Sequence, residues 1–470
     1  MLFLPELTVL GAGLTLFLFS LGKPTGEKIR KVAIGLAALT SAAAFFSLQG
    51  NGELFFSAYR VDIFSQTWKL LIALGTLAVL IFTQTNRGTK TESEPEYFLF
   101  LFMAVLGLMM LVSSVELLAI FISLELSSFA VYIMVPMRRG ETSSGYHLEA
   151  GMKYLLFGVV ATGLMLFGMS YLFGLTGTTH LAAITAQLPT LYNQPAAAVA
   201  IAMILGGFFY KLAIFPLHFW VPDVYEGAAN ETTAFIATIP KLAAVAILIR
   251  IVGLIDQQGE LIVNALAVCA VLSMFYGNLS ALAQTDVKRI LGFSGISHAG
   301  FVLVGILTFQ TIGYATAVYY IIGYVVMNLA CFLVICTVAS TDRNLVVADF
   351  TGLHKRAPLL ALALTVGLFA LAGIPPFVGF TGKLLLLLEA LRQGHLLLVI
   401  FAALNTAIAI YYYLSIVRVS FCSDPEGRGT VTASRQVNIL AILLIVVIIV
   451  MGVMPKPFIN FAASAIQALL

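Results

Sequence analysis

The chain has 470 residues, of which 60% are hydrophobic and only 10% charged, with a net charge of +3 and a mean hydropathy of +1.02. These values lie far outside soluble-domain norms and set the fold class as all-α, a polytopic membrane protein with no nucleic-acid partner. The four cysteines (Cys269, Cys331, Cys336, Cys422) form no CxxC pair, and three fall in apolar runs. They read as small buried hydrophobes and give a haem or iron–sulfur ligand set no support.

A helix that crosses a bilayer needs about 20 apolar residues. Runs of that kind fall at 2–21, 31–49, 65–84, 97–114, 116–136, 150–173 and 196–219, then at 232–254, 260–283, 289–309, 312–338, 358–388, 395–417 and 436–454. About fourteen spans are therefore expected, with membrane lipid around them. Residues 1–21 lack a basic leading segment and contain Glu6, so they are expected to stay as the first helix.

Basic residues are distributed unevenly among the connections. Those after odd-numbered spans carry sixteen, among them Lys23, Arg87, Lys90, Arg139, Arg289 and Arg428, against three (Arg60, Arg392, Lys456) on the other side. By the positive-inside rule both termini face outward. Lys69 and Arg250 read as helix-end residues. Glu116 and Glu389 also fall at helix ends and read as solvated.

Four lysines, Lys153, Lys211, Lys241 and Lys383, and one carboxylate, Glu125, lie inside the spans. An ammonium in hydrocarbon costs about 2.5–3.5 kcal/mol on insertion scales, so such residues are rare unless they face a polar path. Their presence points to movement of protons or cations. Lys153, three or four residues into its helix, also fits an interface lysine that extends to the headgroups.

Two spans are interrupted by proline. The seventh reads GGFFYKLAIFPLHFWVPDVYEG, with Lys211 before Pro216 and His218 just after it. The twelfth reads LFALAGIPPFVGFTGKLLLLLEA, with Pro375 and Pro376 before Lys383. Proline removes a helical hydrogen bond, and inside a bundle the freed carbonyls can line a hydrated cavity. The breaks lie five spans apart, so their helices run in opposite directions. That predicts two inverted five-helix repeats, spans four to eight and nine to thirteen, with helices 7 and 12 discontinuous. The corresponding regions are 1–96 (three helices), 97–255 and 256–418 (the repeats), and 419–470 (a last helix and tail).

The runs HFWVPDVYEGA, TTAFIATIPKLA, EAGMKYLLFG, VKRILGFSGISHAGF and LAGIPPFVGFTGKLLL, with LELSSFAVYIMVPMRR, are similar to the antiporter-like subunits of respiratory complex I, the bacterial NADH–quinone oxidoreductase. The likeness covers about residues 97–388, and its wording is nearest to the N-type subunits. The twelfth-span lysine, where M-type subunits have a glutamate, and the short stretch after the last span favour that group.

This resemblance implies a translocase subunit of the inner membrane with both termini periplasmic. Its partners would be the M and L antiporter-like subunits and the small K, J and A subunits. FMN, iron–sulfur clusters and quinone would belong to partner subunits, with no redox centre or metal here. It implies a Glu125–Lys211 pair, a central Lys241, a second-half Lys383, bridging histidines His218 and His298, and a modulating Lys153. Read as residues, His298 also fits a hydrogen-bonded helix histidine, and His218 helix-end packing. Asp223 and Glu226, in a connection without basic neighbours, fit a cytoplasmic entrance or a structural loop. The run Ala229-Asn230-Glu231-Thr232 departs from the family's proline-containing pattern, so a different start to the eighth helix is expected. The rival readings are an Mrp-type or membrane-hydrogenase antiporter subunit, and a structural subunit with an idle channel.

Overall fold

The computed structural model describes residues 2–22, 26–83, 93–138, 145–191, 194–251, 260–339, 343–422, 424–425 and 427–467. Of the basic residues named above, Lys23, Arg87, Lys90 and Arg139 lie outside the described residues. The chain opens with α1 (Leu4–Ser20), α2 (Gly26–Phe46), a small antiparallel hairpin of β1 (Gly52–Leu54) and β2 (Tyr59–Val61), and α3 (Ile63–Phe82). Then come α4 (Glu94–Ser113), α5 (Leu117–Met134), α6 (Tyr146–Thr176), the short α7 (Leu181–Gln187), α8 (Pro195–Leu212), α9 (Trp220–Gly227) and α10 (Asn230–Arg250). The second half holds α11 (Glu260–Leu282), α12 (Val287–Ile306), α13 (Thr311–Val338), α14 (Leu353–Arg356), α15 (Pro358–Ala372) and α16 (Val378–Arg392). It ends with α17 (Leu396–Cys422), α18 (Arg435–Val453) and α19 (Lys456–Gln467).

Twelve helices among the described residues are long and apolar enough to cross a membrane, so this is a multi-pass membrane protein. The sequence expectation of fourteen adds α1, with 17 residues, and the twelfth span. That span is two half-length helices, α15 and α16, of 15 residues each. The seventh is likewise divided, into α8 and the 8-residue α9. The eighth starts at Asn230, two residues earlier than the apolar run suggested, as a regular helix despite its unusual leading sequence.

Three helices form the centre. α10 is buried along its whole apolar stretch, and α12 and α13 along 94% and 89% of theirs. α2, α6, α11 and α17 are buried along only 33–39%, and they turn Leu, Val and Phe side chains outward as lipid-facing helices do. Any charge on α10, α12 or α13 is therefore sheathed by protein and not by lipid.

The two ends of the bundle are closed by similar devices. At one end Leu117 N–H binds the Thr179 carbonyl and Leu181 N–H the Val115 carbonyl, and the Glu116 carboxylate caps α5 through Ala119 N–H. At the opposite end Val287 N–H binds Leu345, Val347 N–H binds Thr285, and Asp286 caps α12 through Arg289 N–H. Glu116 is thus a buried cap and not solvated; Glu389 is also buried and pairs with Arg392 at 2.6 Å. Two glycines let the hairpins α4–α5 and α11–α12 pack closely. A Cβ on Gly107 would meet Ser127 N at 2.5 Å, and one on Gly277 would meet Ser297 N at 2.7 Å.

Candidate proton pathway

Both broken helices end in the same backbone motif. Ala213 (φ 65°) and Gly373 (φ 87°) adopt the left-handed conformation that closes a helix C-terminus. Ile214 N–H reaches back to the Phe209 carbonyl at 2.8 Å, and Ile374 N–H to the Phe369 carbonyl at 3.0 Å. The chain then passes Pro216 in one case and Pro375–Pro376 in the other before resuming as α9 and α16. Each break leaves carbonyls at a helix C-terminus, a partial negative charge that favours a cation.

The lysines occupy these ends. Lys383, one turn into α16, points back and donates to the Leu371 carbonyl at 3.0 Å and the Ala372 carbonyl at 3.4 Å. Its ammonium lies 5.0 Å from the Phe301 ring centre. It is buried and does not extend to an interface. Lys211, in the last turn of α8, donates to Ser127 Oγ and Ser128 Oγ of α5, both at 3.1 Å. Glu125 is one turn away on that same helix, with Oε1 buried and unpartnered. Among the described residues no ion pair joins Glu125 to Lys211, so the arrangement is open: the lysine rests on the serines, not on the carboxylate.

Lys241, on the fully buried α10, meets the Tyr324 hydroxyl at 3.1 Å and the Gly295 carbonyl at 3.4 Å. From there a row of polar side chains continues. His298 packs beside Tyr324, with ring centres 5.1 Å apart, and its Nδ1 contacts the Tyr320 hydroxyl at 2.6 Å. Its Nε2 contacts the Tyr413 hydroxyl at 3.3 Å. Tyr320 in turn packs against Phe301, the ring beneath Lys383. Nearby, Tyr412 donates to Asn278, whose amide donates to Asn405.

His218 behaves differently. It is fully buried among Phe215, Phe219 and Tyr276, and neither ring nitrogen has a partner. It makes no hydrogen bond to any of the four lysines. Lys153 lies off the axis at the α9 end, bound to Asp223 at 2.7 Å and Glu149 at 2.8 Å. The expectation that Asp223 and Glu226 lack basic neighbours is corrected. Arg289 binds Asp223 at 3.1 Å and Glu226 at 2.7 Å, and Tyr146 donates to Glu226. These partners are distant in sequence and meet only because α6, α9 and α12 share that end.

Two further corrections concern charges read as helix-end residues. Lys69 is fully buried and pairs with an equally buried Glu6 at 2.8 Å. Arg250 is buried too, and its Nη2 donates to both oxygens of Asp62 at 3.0 and 2.9 Å. Sequence reasoning also missed Ser127, Ser128, Tyr320, Tyr324 and Tyr413. Tyr320 and Tyr324 stand four apart in an apolar span, a spacing that puts two hydroxyls on one face and could have marked them.

The family described as NADH:quinone oxidoreductase/Mrp antiporter, transmembrane, matches residues 114–409. The NADH-quinone oxidoreductase subunit N 2 of Opitutus terrae is 48% identical over 454 residues, covering 96% of this chain and 95% of that protein. A chain of respiratory complex I from Thermus thermophilus with bound aureothin superimposes with a TM-score of 0.83 at 28% identity, over 98% of this chain and 99% of that one. A chain of the Mrp complex from Dietzia sp. shares the fold, with a TM-score of 0.86 at 21% identity over 100% and 96%. The chain therefore belongs to the family of NADH:quinone oxidoreductase and Mrp antiporter membrane subunits.

Proposed function

We propose that this chain is a proton-translocating, antiporter-like membrane subunit of an NADH–quinone oxidoreductase, with electron transfer carried out in partner subunits. The observation that carries this reading is the buried row Lys241–Tyr324–His298–Tyr320 leading towards Lys383. The members of this row satisfy one another by hydrogen bonds, and every link in it can both lose and gain a proton. FMN, iron–sulfur clusters and quinone belong to the partners. Those partners include the M and L antiporter-like subunits and the small K, J and A subunits.

The chain's own residues act as holders and passers of protons. With Lys211 on Ser127 and Ser128, Glu125 is free to accept a proton. Movement of α8 against α5 brings the ammonium back to the carboxylate and resets the pair. Tyr324 takes part by holding Lys241, and His298 by presenting a nitrogen to each of two tyrosines. Lys153, tied to Asp223 and Glu149, restrains α9 and so the start of α10. His218, caged by rings, acts only if the break opens and admits water. Release against a membrane potential costs roughly 2.3 kcal/mol per charge per 100 mV, so the cycle needs drive from the partners.

Topology belongs to the same reading: fourteen spans in the inner membrane, both termini periplasmic, with the α9 end cytoplasmic. Residues 97–255 and 256–418 form inverted repeats, flanked by 1–96 and 419–470. The matching caps at Glu116 and Asp286, at opposite ends, and the matching glycine contacts at Gly107 and Gly277 support that arrangement.

The test is Lys241→Leu in the native complex, with protons translocated per electron measured in inverted vesicles. Loss of translocation with the complex assembled is expected. Wild-type translocation refutes the axis, and a strict sodium requirement transfers the chain to the Mrp-type reading.

A further inference from the structure

Outside the axis the structure holds a second buried acid–base cluster, where α1, α3, β2 and α10 meet. Glu6 and Lys69 are each 0% exposed and 2.8 Å apart. Tyr59 of β2 donates to the same Glu6 oxygen at 2.5 Å, and its ring centre lies 5.1 Å from the Lys69 ammonium. The other carboxylate oxygen, Oε2, has no partner, and Gln66, nearly one turn before Lys69, has both amide atoms buried and unpartnered. Buried polar atoms without a protein partner are commonly satisfied by ordered water.

The cluster is also tied to the axis helix. Asp62, the N-cap of α3, holds Arg250 at the end of α10, and Gly75 of α3 packs on Ile239 of α10. These two contacts set α3 antiparallel to α10 and bring Lys69 level with Ala244. Lys69 is then about 4–5 Å along the axis from Lys241, on another side of the same helix. The polar groups around the pair are Tyr59, Asp62 and Arg250, with Ser113 of α4 beside Tyr59 and Arg60 at the rim.

We propose that Glu6, Lys69 and Tyr59 form a second proton-exchanging station, serving the end of the bundle opposite α9. In the exchange the Lys69 ammonium gives its proton to Glu6 Oε1, leaving a neutral amine beside a neutral acid. The carboxyl then turns about its Cγ–Cδ bond, loses that same proton to water and becomes the carboxylate again, and the amine is reprotonated from the bundle interior. The inference rests on the proton-translocation reading above. A strut that only ties α1 to α3 needs none of this, because apolar side chains of similar volume fill such a place as well or better.

That contrast supplies the experiment. The double variant Glu6→Leu/Lys69→Met removes both charges and keeps the packing. It should assemble in the complex at the wild-type level while proton translocation per electron falls to that of Lys241→Leu measured alongside. Wild-type translocation in the double variant overturns the station. If Lys241→Leu is impaired in the same membranes, only the station falls; if neither is impaired, the broader reading falls with it. Tyr59→Phe, which removes one hydroxyl and keeps the ring, covers the case in which the double variant does not assemble. It should lower translocation at least twofold, and an unchanged rate overturns the proposal. Infrared difference spectra during turnover should also contain a protonated-carboxyl band that disappears in Glu6→Gln, a signal a strut would not produce.

Discussion

On the proposed mechanism Lys211 moves between two resting places, and Ser127 and Ser128 bias the choice. In the structure its ammonium is held by Ser127 and Ser128 at 3.1 Å each, one turn from Glu125, whose Oε1 is buried without a partner. A hydrogen bond to a charged group contributes about 1.5–3 kcal/mol. Removing one acceptor therefore shifts the balance between the open and closed arrangements by roughly 10- to 150-fold, since 1.36 kcal/mol is a factor of ten. In Ser127→Ala/Ser128→Ala the lysine loses both acceptors, and the closed pair with Glu125 becomes the only polar refuge. A pair that cannot open holds its proton, so pumping and the coupled quinone reduction should both slow by at least tenfold.

The assay is proton uptake by inverted vesicles alongside quinone reductase activity. The control is Ser123→Ala, a buried serine on the same helix whose hydroxyl meets Ser114 and not Lys211. Adding Glu125→Gln to the double serine variant should then change little, because the carboxylate that traps the lysine is gone but so is the switch. Wild-type pumping in Ser127→Ala/Ser128→Ala would refute the reasoning, whatever the single variants do.

Three other outcomes follow from the geometry. Tyr324→Phe removes the hydroxyl 3.1 Å from Lys241 but keeps the ring 4.9 Å from the ammonium, so assembly should be normal and pumping reduced but not abolished. Lys383→Leu leaves the Leu371 and Ala372 carbonyls short of a donor, about 1–3 kcal/mol each, but also removes a buried charge that cost about 2.5–3.5 kcal/mol. The terms nearly cancel, so native gels should show assembled complex that fails to pump. Gly107→Ala drives a methyl into the α5 backbone and should cost about 1–3 kcal/mol, seen as a lower melting temperature. Gly163→Ala, inside α6 with nothing within 4 Å, should hold or raise that temperature, since alanine favours a helix over glycine.

The spans, the two breaks and the four lysines could be read from sequence because each is a local signal. A run of apolar residues, a proline inside it and a lysine nearby all appear in one window. The partners could not be read in this way. Ser127 and Ser128 are ordinary helix serines until α8 brings Lys211 against them, 84 and 83 residues away in the chain. Arg289 meets Asp223 and Glu226 across more than sixty residues. Glu6 and Lys69 failed for another reason. Both lie within two turns of a helix start, where a charge usually reaches water, and the helices around α1 and α3, with Tyr59 of the hairpin on Glu6, seal them in. Sequence position gives depth along a helix but not what covers it.

The two lysines at the breaks carry the same lesson further. Aligned by their backbone hydrogen bonds, Phe209, Ala213 and Ile214 of the first break correspond to Phe369, Gly373 and Ile374 of the second. On that alignment Lys211 does not correspond to Lys383. It corresponds to Leu371, whose carbonyl is one of the two that Lys383 reaches. At the first break the lysine belongs to the last turn of α8 but its ammonium rests on Ser127 and Ser128 of α5; at the second the ammonium comes from the following half-helix onto the α15 carbonyls. What the breaks share is a lysine beside a helix C-terminus, where a cation is favoured. The residue that supplies the cation is free to differ. Swapping the origin of the charge within one half, by placing lysine at Leu371 in Lys383→Leu, should then restore part of the lost pumping. Complete inactivity of the assembled double variant would show that the direction of approach matters, and not only the place.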